Sequence, residues 1–560
     1  VAPPLPPGER VPSRPATAPP ARRPRFAGVL PPLLLTAATA AAFAGVAANG
    51  FISLDDEGYL TGNPALREGL TPGSAAWAFT TFHQGNWHPL TWLSHLLDVE
   101  LFGLAPGPHH LVSLLIHLLG ALLLLRTLLL LTGSRWPSLV VSLLFAVHPL
   151  RVESVAWASE RKDVLAGALF AAALLAWVRQ VRTPGRGRWL LPLGLFALAL
   201  LAKPMAVTFP LVLLILDLWP LGRLRLPGRP APPATGALLL EKAPFLLLSL
   251  AAALATWLAQ SRWGWVKPLE RYPLGERPGN AAVAILTYLE KAFWPRGLAV
   301  PYGFPAEGHP AARILGGAVV VGAICLAAWL LRRPRPHLLA GWLLFCGMLL
   351  PVLGLVQVGD QALADRYTYL PLTGILLASV WAVPGRRAAP LRRLLPPAVT
   401  LLTLAMVLLT RRQVAVWRSD ETLFRHAVAV TTDNWLAWQN LAATLTDLGR
   451  DREALEIYRH LLSRGQDHPL VHNNLGVVLR RMGRAGEAAA HLRRAIQMNP
   501  GYAAALDNLG LLLGDLGDWA AAEGMHRRAA ELRPDEPRYR RRLEEARSRL
   551  QQPPPTHAPP

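Results

Sequence analysis

A chain of 560 residues with 52% hydrophobic and only 17% charged positions, and a mean hydropathy of +0.28, is not an ordinary soluble domain; such domains carry about 25% charge. The net charge of +21, from 57 basic and 36 acidic residues, would suit nucleic acid, but the arginines fill short gaps between apolar runs. That is the positive-inside pattern of a membrane protein and argues against a nucleic-acid partner.

In chain order, a Pro/Arg-rich tail over 1–26 reads as disordered. Apolar runs then predict spans near 27–49, 109–131, 138–156, 163–180, 189–202, 204–220, 243–260, 313–331, 338–357, 369–384 and 394–411. A further apolar helix near 281–297 is ambiguous, so the polytopic domain 27–411 is expected to have about 11–12 spans, with a first external loop at 50–108. Cys325 and Cys346 lie inside these runs and read as core residues rather than a disulfide or metal pair.

Orientation follows from the basic gaps. Arg22, Arg23 and Arg25 precede the first span, and Arg179, Arg182, Arg186 and Arg188 fill a later gap. Arg223, Arg225 and Arg229, then Arg332, Arg333 and Arg335, then Arg386, Arg387, Arg392 and Arg393 fill three more. With all of these cytoplasmic and 281–297 not spanning, everything after 411 falls on the opposite face, together with the loop 50–108. The segment 261–280, with Arg262, Lys267, Arg271 and Arg277, is an exception to the rule.

After a linker or capping helix at 412–434, the residues 435–534 repeat with a period of 34. Asn440, Asn474 and Asn508 recur, as do Gly449, Gly483 and Gly517, and Ala454, Ala488 and Ala522, with Pro500 and Pro534 at repeat ends. This marks about three tetratricopeptide repeats, a helical solenoid whose units bury their apolar faces on one another. An Arg-rich helix and Pro-rich tail, 535–560, follow, and the fold class is all-α.

The polar residues that suggest chemistry gather on one predicted face. The first loop opens with Asp55, Asp56 and Glu57, and the same face carries Glu153, the cluster Glu160-Arg161-Lys162-Asp163, Lys203, and Asp365-Arg366-Tyr367. Charged groups at the edge of the hydrocarbon are costly, so their gathering suggests a shared polar cavity. A carboxylate there could act as general base toward a hydroxyl, and Arg161, Lys162, Lys203 and Arg366 could hold a leaving phosphate. The opposing readings are a solvated acidic loop and structural ion pairs of Arg161 and Lys162 with Glu160 and Asp163. Lys203 resists such dismissal, having no acid nearby in sequence. His88, His95, His109, His110 and His148 lack a familiar zinc spacing, so no metal site is expected; they read as hydrogen-bonding or substrate-orienting groups, with Glu153 and Tyr367.

Several longer stretches carry a resemblance. They are Asp55-Asp56-Glu57-Gly58-Tyr59-Leu60, Asn86-Trp87-His88-Pro89-Leu90-Thr91-Trp92-Leu93-Ser94-His95, and His148-Pro149-Leu150-Arg151-Val152-Glu153 with Glu160-Arg161-Lys162-Asp163. Lys203-Pro204-Met205-Ala206-Val207-Thr208, Leu216-Asp217-Leu218-Trp219-Pro220-Leu221 and Asp365-Arg366-Tyr367-Thr368-Tyr369 complete the set. With the distal repeats, the chain from about residue 50 to 534 resembles the transmembrane-and-tetratricopeptide-repeat O-mannosyltransferase family and its bacterial relatives, which are similar to membrane glycosyltransferases of the C-type fold.

The resemblance implies an inverting hexosyltransferase of a bacterial inner membrane, with its repeats and acidic loop on the external face. It implies a polyprenyl-phosphate sugar as donor substrate, no firmly implied cofactor, and a Ser or Thr hydroxyl of an exported polypeptide, gripped by the repeats, as acceptor. It also implies that an acid of the first loop is catalytic; Asp55 and Asp56 are the matching positions, with Asp56 preferred. The second reading is a non-enzymatic membrane scaffold that displays repeats to envelope partners. It accounts for the repeats but not for the one-sided charges.

Overall fold

A computed structural model describes residues 26–185, 187–224, 235–262, 275–304, 308–357, 359, 361–383, 389–534 and 536–551. The tail ahead of Phe26, with Arg22, Arg23 and Arg25, then Arg186, Arg225, Arg229, Lys267, Arg271, Arg386, Arg387 and the Pro-rich end after Gln551 lie outside these residues.

Apolar sequence of this length folds as helix because hydrocarbon offers no partner to a free backbone amide or carbonyl. Among the described residues, six helices are long and apolar enough to cross a membrane: Val29–Ala48, Pro106–Thr132, Ala158–Arg182, Gly236–Arg262, Ala311–Leu330 and Arg393–Val416. A seventh crossing results if Arg135–Val147 and Pro149–Ala156, bent by 57°, count as one. Where the sequence predicts further spans, the apolar helices are shorter: Leu190–Ala202, Pro204–Leu218, Pro336–Val352 and Leu372–Ala382. At about 1.5 Å per residue, a 13-residue helix reaches only about 20 Å, less than the ~30 Å hydrocarbon layer. The ambiguous 281–297 region forms the helix Arg277–Phe293, which is not among the long apolar helices and buries Tyr288 and Lys291.

Two of the breaks are written in the sequence. A proline pushes the residue before it out of the helical region. His148, ahead of Pro149, has φ −72° and ψ 135°, and Lys203, ahead of Pro204, has φ −155° and ψ 127°. Both breaks unwind apolar helices at the level where the polar residues collect. Elsewhere the helices approach closely: a Cβ on Gly341 would collide with the Gly374 carbonyl oxygen, so Pro336–Leu349 and Leu372–Ala382 cross with their backbones in contact.

A two-stranded antiparallel ribbon pairs Tyr302 with Leu363 and Gly303 with Gln361. The C-terminal helices follow the 34-residue period as antiparallel pairs: Trp435–Asp447 with Asp451–Ser463, Pro469–Arg481 with Ala485–Met498, and Ala503–Asp515 with Trp519–Leu532. Each pair turns at Gly449, Gly483 or Gly517, with φ of 76°, 75° and 81°, a conformation that a side chain would strain. Ala454, Ala488 and Ala522 are fully buried where the helices cross. Pro537–Gln551 closes the stack, and Asp420–Val430, capped by Ser419, opens it.

The solenoid meets the membrane unit at the first loop. The Gly50 amide donates to the Arg418 carbonyl at 3.0 Å, and the Ser53 amide donates to Asp420 Oδ1 at 2.8 Å. Asn434 Nδ2 donates to the Pro301 carbonyl at 2.7 Å.

Candidate active site

The first loop, the segment 157–162, the break at Lys203-Pro204, the end of Gly236–Arg262 and the ribbon line a cavity of about 600 Å³. Asp55, Lys162, Lys203, Arg366 and Tyr367 line it, as do His88, Tyr59 and Glu160.

Asp55 and Asp56 have opposite roles in the geometry. Asp56 is fully buried and accepts two backbone amides, Ile52 on Oδ2 at 2.9 Å and Ser159 on Oδ1 at 2.8 Å. It closes the loop turn, ties it to the segment leading to Glu160, and is not part of the cavity wall. Burial pushes its carboxyl up to about 7 against the pull of those two amides. Asp55, one residue earlier, is half-buried in the wall. Burial pushes its carboxyl up as well, and the Lys162 ammonium pulls the other way. Glu57 is exposed on the outside of the turn. The preference for Asp56 over Asp55 is therefore reversed by position: Asp55 faces the cavity.

The cations converge on one carboxylate. Lys162 Nζ and Lys203 Nζ each lie 3.1 Å from Glu160, and Arg366 Nε lies 3.2 Å from it. Lys203 also reaches Asp163 at 2.6 Å, so the lysine without an acid nearby in sequence acquires two in space. Arg366 is further held by Glu153, which pairs with its guanidinium and accepts its backbone amide at 2.8 Å. Burial works against the Arg366 charge, but the Glu153 and Glu160 carboxylates outweigh it and keep the guanidinium firmly protonated. Its Cζ lies 5.4 Å from the Trp157 ring centroid and 5.2 Å from that of Tyr367, which fixes its direction. Tyr59 holds Lys162 similarly, its ring centroid 4.6 Å from Nζ, while its hydroxyl accepts from Asn86 Nδ2 at 3.0 Å.

Other residues singled out by sequence lie elsewhere. Arg161 is fully buried away from the cavity wall, paired with Asp98 and donating to Ser113 Oγ at 3.2 Å and to the His109 carbonyl at 2.5 Å. It is unsuited to a phosphate that enters the cavity. His148 serves its own turn, accepting the Leu150 amide at 3.2 Å and bonding the Ala292 carbonyl at 3.0 Å. His109 bonds the Gly103 carbonyl at 3.0 Å, outside the cavity. Glu153 acts through Arg366 rather than on the cavity. His88 does line the cavity, stacked on Tyr59 with ring centroids 5.6 Å apart, and burial holds it neutral. Tyr367 lines it too, its hydroxyl accepting from Gln361 Nε2 at 2.9 Å.

Sequence reasoning weighs Glu160 and Asp163 as ion-pair partners of Arg161 and Lys162, which holds for Lys162 with Glu160, but it misses that Lys203 takes both acids, that Arg366 joins Glu160, and that Arg161 goes to Asp98. It also missed Tyr302, whose hydroxyl donates to Asp365 Oδ2 at 2.7 Å, with Lys291 2.7 Å from Oδ1. Only the ribbon brings Tyr302 and Asp365 together, and its two short strands leave no periodic signal.

Tetratricopeptide-repeat family models match residues 439–470 and 469–535. Among solved structures, ArnT from Cupriavidus metallidurans bound to undecaprenyl phosphate aligns with 90% of this chain and 80% of its own, at 15% identity and a TM-score of 0.33. The human protein O-mannosyl-transferase TMTC1 is 28% identical over 430 residues, 68% of this chain and 48% of its own. Drosophila melanogaster protein O-mannosyl-transferase Tmtc2 is 36% identical over 140 residues, 24% of this chain and 15% of its own. The chain thus spans about half the length of the human relative, or less of the fly one. It is an α-helical membrane protein with C-terminal tetratricopeptide repeats, similar over 68% of its length to human protein O-mannosyl-transferase TMTC1.

Proposed function

We propose that this protein is a membrane glycosyltransferase that moves a mannose-like sugar from a polyprenyl-phosphate donor to a Ser or Thr hydroxyl of an exported polypeptide, on the non-cytoplasmic face. The observation that carries the reading is a carboxylate, Asp55, sharing one cavity wall with Lys162, Lys203 and Arg366. The homology to protein O-mannosyl-transferases supports the reaction class.

In this reading Asp55 takes the proton of the acceptor hydroxyl as its oxygen attacks the anomeric carbon. The bond from that carbon to the phosphate oxygen breaks with inversion, and polyprenyl phosphate leaves with the bonding electrons. Lys162, Lys203 and Arg366 stabilise the charge that develops on the phosphate. Their carboxylate partners hold them in position before the donor arrives, so little reorganisation is needed. The raised Asp55 carboxyl suits a base, since a more basic carboxylate accepts a proton with greater driving force.

The domain reading is part of the same proposal: residues 27–411 carry the transfer site, 412–434 link, and 435–534 present the acceptor chain. The contacts of Gly50 with Arg418 and of Ser53 with Asp420 support it, because they bring the repeats beside the loop that bears Asp55. Purified protein in liposomes, given polyprenyl-phosphate mannose and a Ser/Thr peptide, is expected to form mannosyl-peptide. Transfer that persists undiminished in Asp55→Asn would sink the mechanism. Absence of transfer from any lipid-linked hexose would favour the scaffold.

A further inference from the structure

Outside the cavity, the helix Pro89–Phe102 and the first turn of Pro106–Thr132 bring together His95, Asp98 and His109, each offering a donor atom within 4.8 Å of the others. All three side chains are buried. His95 and Asp98 are three residues apart and so share a helix face. The chain then reverses through Gly103, at φ 62°, to deliver His109 from the next helix.

The hydrogen bonds fix one tautomer. His109 Nε2 lies 3.0 Å from the Gly103 carbonyl oxygen, which only accepts, so Nε2 carries the proton. In the neutral ring Nδ1 is then a lone pair, and it faces Asp98 Oδ2 at 3.4 Å, another acceptor. Two acceptors at that separation repel unless a cation lies between them. Meanwhile neither ring nitrogen of the fully buried His95 has a hydrogen-bond partner among the described residues. A buried polar group left so loses its hydration without a replacement bond.

A metal ion removes the repulsion and gives one of the two His95 nitrogens a partner. With bonds of about 2.0–2.1 Å to nitrogen and oxygen, the edge of a tetrahedron between two donors is about 3.3–3.4 Å. We propose that His95, Asp98 and His109 bind one zinc ion, with water or hydroxide in the fourth position. Two imidazoles and one carboxylate are a zinc-type donor set. Arg161, paired with the same Asp98 Oδ2 that faces His109, orients the carboxylate, as hydrogen-bonded partners of metal ligands do. The ion would clamp the external-loop helix to the membrane helix directly behind the segment that carries Lys162. This proposal is independent of the transfer reaction, since the three ligands do not line the cavity. It departs from the sequence expectation because the ligands come from two helices, at spacings of three and eleven, rather than from one short motif.

The rival arrangement is a doubly protonated His109 paired with Asp98 and no metal. Detergent-purified full-length protein, washed with EDTA and dialysed against limiting zinc, is expected to retain one equivalent by elemental analysis. His95→Gln and His109→Gln should each weaken retention at least about tenfold. Cobalt(II) added to the washed wild-type protein should give the visible absorption of a tetrahedral site, saturating at one equivalent. A wild-type protein that retains no more zinc than His95→Gln overturns the proposal, as does a cobalt spectrum that survives in the variants. Should the variants fail to fold, the wild-type cobalt titration decides alone: no saturable tetrahedral spectrum overturns it.

Discussion

Asp420 Oδ1 accepts the Ser53 backbone amide at 2.8 Å, fastening the first helix of the solenoid to the loop two residues ahead of Asp55. The bond crosses from one part of the chain to another 367 residues away. Its own contribution to stability is modest, about 0.5–1.5 kcal/mol. Its effect on function should be larger, because a small displacement of a base weakens proton transfer. Asp420→Ala is expected to lower transfer several-fold, with the melting temperature nearly unchanged and faster amide exchange at Ser53. Asp420→Asn keeps an acceptor oxygen and should restore most of the rate. Equal rates in wild type and Asp420→Ala would show that this bond does not position Asp55.

The two adjacent aspartates should separate cleanly. Asp55→Asn removes the proposed base and should cost about 10²- to 10⁴-fold in rate, with no loss of stability because, among the described residues, no backbone amide holds the Asp55 carboxylate as two hold that of Asp56. Asp56→Asn leaves one oxygen for two amides, Ile52 and Ser159, and puts an amide donor against the other. It should lower stability by about 1–3 kcal/mol. Rates per folded molecule, with thermal unfolding alongside, distinguish the two. The reverse pattern would return the catalytic role to Asp56.

A pH dependence follows from Asp56. Its carboxyl titrates at about 7 in the folded protein, against about 3.9 in an unfolded chain. The folded state therefore holds the proton more tightly. Its contribution to stability is fully present below about pH 4 and is lost as pH rises through 7. Between these limits the slope approaches about 1.4 kcal/mol per pH unit. Thermal unfolding between pH 5 and 7.5 should show wild type losing stability relative to Asp56→Asn as pH rises. Parallel curves for the two proteins would count against a raised carboxyl at this position.

The sequence carried most of the architecture because both of its signals are local. Apolar runs and a 34-residue period need no knowledge of distant residues, and the positive-φ glycines at 449, 483 and 517 sit where the period puts them. The break at Lys203 falls between two expected spans, whereas the break at His148, ahead of Pro149, lies inside the expected span 138–156. The candidate site was legible as a set of residue types but not as a set of orientations. Asp55 and Asp56 are adjacent and alike, and what holds Asp56 off the cavity wall includes the amide of Ser159, 103 residues away, beside the local amide of Ile52. Arg161 and Lys162 are also adjacent, yet one is consumed by Asp98 and the other lines the cavity. Such partitioning depends on long-range packing, which no local pattern encodes.

Arg366 allows structural and donor-binding roles to be told apart. It holds Glu153 through both backbone and side chain, whereas Glu160 keeps Lys162 and Lys203 if Arg366 is lost. Arg366→Ala therefore strands mainly Glu153, and breaking one side of a buried pair costs about 3–5 kcal/mol. Glu153→Gln removes the stranded charge, so the double variant should recover much of that loss in thermal unfolding, a coupling that a double-mutant cycle reads directly. If Arg366 also holds the donor phosphate, transfer should not recover with stability: the double variant would fold well and still show a raised KM for the lipid-linked sugar. Recovery of both together would make Arg366 a structural partner of Glu153 alone, leaving Lys162 and Lys203 to carry the phosphate.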